Sequence, residues 1–230
     1  RSWAVGLLII SILAMACGGA ADVDDYKAAF VYVGPADDGG WSQAHDVGRQ
    51  FLVDETGIET AYTELIPEDA TEFRTVAEAY NEQGYNIIFG TTFGYIDAMA
   101  EMAEEYPDVI FLHCSGYLSN DSNFGNYFGK MYQPRYASGM AAGSLTESNK
   151  IGYVAAFPIP EVIRGINAFA TGVKEVNPDA TVEVVWTFTW FGPEEETQAA
   201  NALIETGVDV LAQHQDSPST GVVAEANGAK

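Results

Sequence analysis

Basic residues, histidine and cysteine are all scarce in this chain. Its 230 residues hold ten Lys and Arg against 33 Asp and Glu, a formal net charge of −23. A surface that acidic repels phosphate backbones, which argues against nucleic acid as a partner and fits a well-solvated protein. Two cysteines, Cys17 and Cys114, cannot make a disulfide scaffold. The three histidines, His45, His113 and His214, have no zinc-ligand spacing. No Gly-x-Ser-x-Gly elbow supplies a hydrolase nucleophile. Residues 125–131 fail as a phosphate loop, being one residue short between glycines, with Met131 where a Mg²⁺-binding hydroxyl belongs. Asp22, Asp24 and Asp25 lack the glycine and final glutamate of a calcium loop. The long apolar run, residues 3–15, is shorter than the roughly 20 residues a membrane span needs. With 47% apolar residues the chain is neither a polytopic membrane protein nor disordered, and its length allows one large or two small domains.

That apolar run carries its own message. It follows Arg1 and ends in the small residues Ala14-Met15-Ala16, which reads as an export signal over residues 1–16. Cys17 comes next, followed by Gly18-Gly19-Ala20-Ala21-Asp22, a tether running to residue 26. This arrangement resembles a bacterial lipoprotein signal, in which the cysteine is lipidated and becomes the N-terminus. The expectation is a protein held at the outer face of a cell membrane through a lipid anchor only. Without Arg1 the body would carry nine basic and 33 acidic residues, a net charge of −24.

From residue 27 onward two hydrophobic periods alternate. Short apolar runs predict strands at 28–33, 58–65, 86–89, 109–113, 151–156, 181–187 and 208–212. Amphipathic stretches predict helices at 41–55, 69–83, 96–105, 131–145, 161–176, 194–206. Such alternation means parallel βαβ units and an α/β fold. An internal repeat lies over it. Lys27-Ala-Ala-Phe-Val-Tyr-Val stands 123 residues before Lys150-Ile-Gly-Tyr-Val-Ala-Ala, and Gly84 and Gly207 keep the same offset just before a strand. Two similar Rossmann-like lobes follow, residues 27–149 and 150–230.

In open parallel sheets a ligand sits beyond the carboxyl ends of the strands, where loops and helix N-termini converge. The loops there are 34–41, 66–68 and 90–97 in the first lobe and 157–164, 189–191 and 213–218 in the second. They carry aromatics (Trp41, Phe93, Tyr95, Phe157, Trp190, Phe191) and a few polar groups (Thr91, Thr92, Glu161, His214, Gln215, Asp216). Such a lining suits a flat, mostly uncharged heterocycle, stacked on its faces and hydrogen-bonded at its edge. A carboxylate at Asp216 or Glu161 would accept from an exocyclic amine or ring N–H. Plainer readings exist for each residue. Trp41 would serve as a helix staple and Trp190 as lobe packing. Asp38 and Asp216 would serve as helix caps, Glu161 as a first-turn acid, and His113-Cys114 as core-edge packing.

Longer stretches resemble the basic membrane protein family. These are Phe30-Val-Tyr-Val-Gly-Pro-Ala-Asp-Asp-Gly-Gly-Trp-Ser-Gln-Ala-His-Asp-Val-Gly-Arg49, Thr92-Phe-Gly-Tyr-Ile-Asp97, Tyr127 to Tyr136, Tyr153 to Asn167, and Gln213-His-Gln-Asp-Ser-Pro218. The resemblance implies a type I periplasmic-binding-protein fold whose C-terminal part is truncated here, relatives continuing past residue 230. It implies a substrate-binding lipoprotein of an ABC importer, working with permease and ATPase subunits and needing no cofactor or metal. The ligand would be a purine base or nucleoside, stacked by Trp41 and by Trp190 from the other lobe. Nucleoside-binding members usually have Phe-Asn where Trp41-Ser42 stand, which favours a free base such as adenine. The expected ligand-binding set is Trp41, Thr92, Phe93, Tyr95, Phe157, Glu161, Trp190 and Asp216, with Cys17 for lipidation. A sensory receptor of the same fold is the alternative, and a nucleoside-processing enzyme the third reading.

Overall fold

The computed structural model describes residues 23–230. The export signal and Cys17 lie outside the described residues; the tether's end forms a short 3-10 turn, Val23–Asp25. Strand β1 (Lys27–Val31) starts a parallel sheet completed by β2 (Glu59–Thr63), β3 (Ile87–Gly90), β4 (Ile110–Cys114) and β5 (Phe124–Tyr127), in the order β2-β1-β3-β4-β5. The second sheet takes β6 (Lys150–Ala155), β7 (Thr181–Trp186) and β8 (Val210–His214), in the order β7-β6-β8. Every pairing in both sheets is parallel.

The repeat is visible in detail. Helix α1 (Trp41–Thr56) follows β1, and α2 (Ala70–Glu82) and α3 (Ile96–Glu105) follow β2 and β3. Their counterparts are α5 (Pro160–Val176), α6 (Pro193–Glu205) and α7 (Ser219–Ala226). Gly84 and Gly207 have φ of 86° and 88°, the left-handed backbone that turns each helix into its strand and that favours glycine. Local chemistry sets the starts. Asp69 caps α2 by accepting from the Thr71 and Glu72 N–H groups, while α5 and α6 open on proline with glutamates in the first turn.

Each sheet is covered on both faces. Phe73, Ala77, Met99 and Met102 of α2 and α3 close one face of the first sheet, and the smaller cluster of Ala28, Phe30, Tyr32 and Ile58 lies on the other, with Leu52 of α1. In the second sheet Val162, Phe169 and Val173 of α5 cover one face, and Ala200, Leu203 and Val223 of α6 and α7 the other.

Two elements went unforeseen, and a third, foreseen as a helix, packs elsewhere than expected. Strand β5 reads Phe-Gly-Asn-Tyr, too short and too poor in apolar residues to announce itself, and α7 is only eight residues long. Helix α4 (Tyr132–Leu145) was expected in the first lobe, but it packs along α5. Its Gly139 and Gly143 lie so close to the α5 backbone at Phe169 and Val173 that no side chain would fit, and Gly172 of α5 does the same against Tyr136. Glycine at a crossing lets two helix backbones touch. The chain has therefore joined the second layer by Tyr132, not near residue 149.

Candidate functional site

The strand carboxyl ends of both sheets open onto one cavity of about 110 Å³, room for several waters. The first half lines it with Val33, Trp41, Thr92, Phe93, Ser115 and Phe128, the crossover into α4 with Met131 and Arg135, and the second half with Glu161, Trp190, His214, Gln215 and Asp216. Six of the eight expected binding residues meet here: Trp41, Thr92, Phe93, Glu161, Trp190 and Asp216.

Two do not. Tyr95 is fully buried in the first core, its ring 4.6 Å from Phe73 and its hydroxyl donating to the Ile66 carbonyl. The 3-10 turn Phe93–Tyr95 directs Phe93 to the cavity and Tyr95 inward, a distinction that loop position alone does not carry. Phe157 lies behind the cavity, 5.2 Å from the Trp190 ring, and lines a shallower groove with Leu65, Glu68 and Phe188. It supports the indole.

Polar groups of the first half that line the cavity find partners within that half. Asp38 accepts from the N–H groups of Gly40, Ser42 and Gln43 and holds the start of α1, so its plainer reading is the right one. The Trp41 indole N–H donates to the Thr91 carbonyl at 2.7 Å, fixing the ring and leaving only its face for a ligand. Thr92 and the Gly94 N–H both donate to Glu68, and His113, behind the cavity wall, meets the Thr92 carbonyl through Nε2 at 2.7 Å while its Nδ1 has no partner among the described residues.

Second-half groups are not spent in this way. Trp190 Nε1, Glu161 Oε2, His214 Nδ1, Gln215 Oε1 and Asp216 Oδ2 are all buried without a hydrogen-bond partner among the described residues. Buried polar atoms normally find partners, and each one left alone costs roughly 1–3 kcal/mol. All five belong to residues that line one wall of one cavity. Asp216 does not cap α7, whose start has no side-chain cap.

Electrostatics follow from burial. His214, 4.0 Å from Glu161, is pushed down to about 4 by burial and then by Arg135, so it is neutral near pH 7. Burial raises the Glu161 carboxyl. Asp216 rises furthest, to about 8, through burial and then the carboxyls of Asp38, Glu196 and Glu68. The expected ionised acceptor is therefore mostly a neutral acid at pH 7. Arg135 donates to the Gln213 carbonyl at 2.7 Å and lies over the Tyr153 ring. The halves touch at Gly40, where any side chain would strike the Asp216 carbonyl, and Trp190 accepts from the Asp216 N–H at 3.0 Å.

Val33, Ser115, Phe128, Met131 and Arg135 were missed as lining residues. The last three follow the unforeseen β5. The resemblance in the stretch from Tyr127 to Tyr136 was the available signal. Ser115 follows β4 with a φ of 67°, a turn nothing in its sequence announces. Among the described residues no group of three or more His, Cys, Asp or Glu is arranged to hold a metal ion.

Two parallel α/β halves with an aromatic cavity between their strand ends make the type I periplasmic-binding-protein fold. The chain belongs to the Bmp family of PnrA-like ABC transporter substrate-binding proteins, whose pattern matches residues 26–230. It is 50% identical over 204 residues to a putative ABC transporter glucose-binding protein of Haloferax volcanii, covering 88% of this chain and 51% of that one. It is 38% identical over 227 residues to a purine-binding protein of Brucella abortus, covering 97% of this chain and 64% of that one. A solute-binding protein of an ABC transporter system from Aeropyrum pernix shares the fold, with a TM-score of 0.77 at 18% identity over 88% of this chain and 58% of its own. The chain thus spans between half and two thirds of these proteins.

Proposed function

We propose that the protein captures a purine base, adenine in preference to a nucleoside, between its two halves and presents it to the permease of an ABC importer. The supporting observation is the division of the cavity wall: indole and phenyl rings at Trp41, Phe93, Phe128 and Trp190, and orphaned polar atoms on the second half only. A flat heterocycle offers two faces for stacking and one edge for hydrogen bonds, which uses both features. The Brucella relative, a purine-binding protein, points the same way. Closure would be a hinge motion of the halves around the ligand.

No helix among the described residues is long and apolar enough to cross a membrane. In this reading the protein works outside the cytoplasm, tethered by acyl chains on Cys17, and takes no part in covalent chemistry. Replacement of Cys17 by Ser should release it from the membrane fraction.

The Haloferax relative's name favours a second ligand, glucose, because carboxyls beside indoles also serve sugars. Calorimetry on the purified protein with adenine, guanine, hypoxanthine, adenosine and glucose separates the two. The purine reading requires adenine to bind at least tenfold tighter than glucose, about 1.4 kcal/mol. Glucose binding without purine binding refutes it.

A further inference from the structure

The polar wall distinguishes donors from acceptors, and Asp216 is its central member. It is 7% exposed, lines the cavity, and holds Oδ2 without a partner among the described residues. Three carboxyls act on its charge, Asp38 ahead of α1, Glu196 in α6 and Glu68 ahead of α2. Glu196 is itself fully buried, accepting from the Ser217 hydroxyl and the Gly192 N–H. The remaining titratable or charged lining groups are Glu161, neutral His214 and Arg135, whose guanidinium donates to the Gln213 carbonyl. A carboxylate so placed feels like charges and has no ion pair with a cation among the described residues.

We infer that Asp216 meets the ligand as a carboxylic acid, giving one O–H and accepting one N–H, and that it thereby selects a purine edge with an acceptor beside a donor. This rests on the purine reading and specifies its edge. Adenine presents such a pair, a ring nitrogen next to the 6-amino group. The Watson–Crick edge of guanine presents two adjacent donors, N1–H and the 2-amino group, which suit an ionised carboxylate. Protonation of one buried side chain thus favours adenine's ring nitrogen and 6-amino group over guanine's N1–H and 2-amino group, leaving guanine only its O6 and N1–H pair to offer a neutral acid. The raised affinity of Asp216 for its proton, to about 8, agrees with the geometry. Binding a donor–acceptor edge would hold the proton in place and raise that affinity further.

The test is a calorimetric series with adenine from about pH 6 to about pH 9, on the wild-type protein, Asp216→Asn and Asp216→Ala. A carboxamide carries one donor and one acceptor and cannot lose its proton in this range. Wild-type affinity should be flat near pH 6–7 and fall about tenfold between pH 7 and pH 9, as the binding-competent acid is depleted. Asp216→Asn should bind adenine within about threefold of wild type at pH 7 and show no fall. Asp216→Ala should lose about tenfold or more through the two missing bonds. At pH 7 guanine should bind the wild type at least about tenfold more weakly than adenine.

An adenine affinity that is constant or rises from pH 7 to pH 9 overturns the inference. So does an Asn variant as weak as the Ala variant while circular dichroism shows both folded. Absence of adenine binding at every pH would refute the purine reading itself, a distinct outcome.

Discussion

The two halves repeat one design and finish it differently. At the 123-residue offset Asp38 corresponds to Glu161, Thr92 to Gln215 and Phe93 to Asp216. Asp38 is bonded to three backbone N–H groups, whereas Glu161 keeps a buried oxygen unpartnered. Thr92 donates to Glu68, whereas Gln215 leaves its carbonyl oxygen unpartnered. Phe93 presents a ring, and its counterpart Asp216 presents an acid. Matching strand ends have become a satisfied, aromatic wall on one side and an unsatisfied, polar wall on the other. A duplicated scaffold fixes where a ligand sits, and the individual residues at equivalent positions decide which part of the ligand each half reads.

The largest expected effect concerns the polar wall. Asp216 holds its proton more tightly folded than unfolded, so the stability it permits is complete below its unfolded pKa near 4 and is lost as pH rises to about 8. Asp216→Asn should therefore be the more stable protein at pH 8, with a gap to wild type that widens from pH 4 to pH 8 and reaches several kcal/mol by order of magnitude. Urea titrations at those two pH values measure it, and a pH-independent gap would remove Asp216 from the list of buried, unpartnered acids.

Next come the rings. Base–aromatic stacking is worth roughly 1–3 kcal/mol by alanine substitution, so Trp41→Ala or Trp190→Ala should weaken adenine binding about ten- to a hundredfold. Asp38→Ala should act on the fold first. With three N–H groups at the start of α1 released, about 1–2 kcal/mol of stability should go, visible as a lower urea midpoint. Equal stability in that variant would mean the first wall is not self-satisfied.

The smallest effect sharpens the contrast most. Trp190→Phe keeps a ring and removes the unpartnered Nε1, and a few-fold loss of affinity is expected. Trp41 has already given its N–H to Thr91, so Trp41→Phe should lose affinity only through ring size and a less firmly held ring.

Much of this was legible beforehand. Both sheets, the repeat and six cavity residues follow from apolar spacing, from the preserved offset of Gly84 and Gly207, and from knowing that ligands sit at strand carboxyl ends. What escaped did so for local reasons. β5 is a four-residue edge strand of Phe-Gly-Asn-Tyr, so the segment after it, with Phe128, Met131 and Arg135 of α4, was not recognised as following a strand's carboxyl end. Tyr95 shares a loop with Phe93, and only the 3-10 turn decides which ring faces inward. The boundary near residue 149 ignored the glycines of α4, whose function as a crossing surface appears only once α5 lies against them. The ionised state expected of Asp216 ignored Asp38, Glu68 and Glu196, which are distant in sequence and converge only in the fold.

A crystal structure of the protein with adenine tests the division of labour most directly. The account predicts the purine in the cavity between the halves, its faces against Trp41 and Trp190, with the 6-amino group and adjacent ring nitrogen on the Asp216 carboxyl. A base whose polar edge lies against Thr92 and Phe93 of the first half, or one bound outside this cavity, would contradict it.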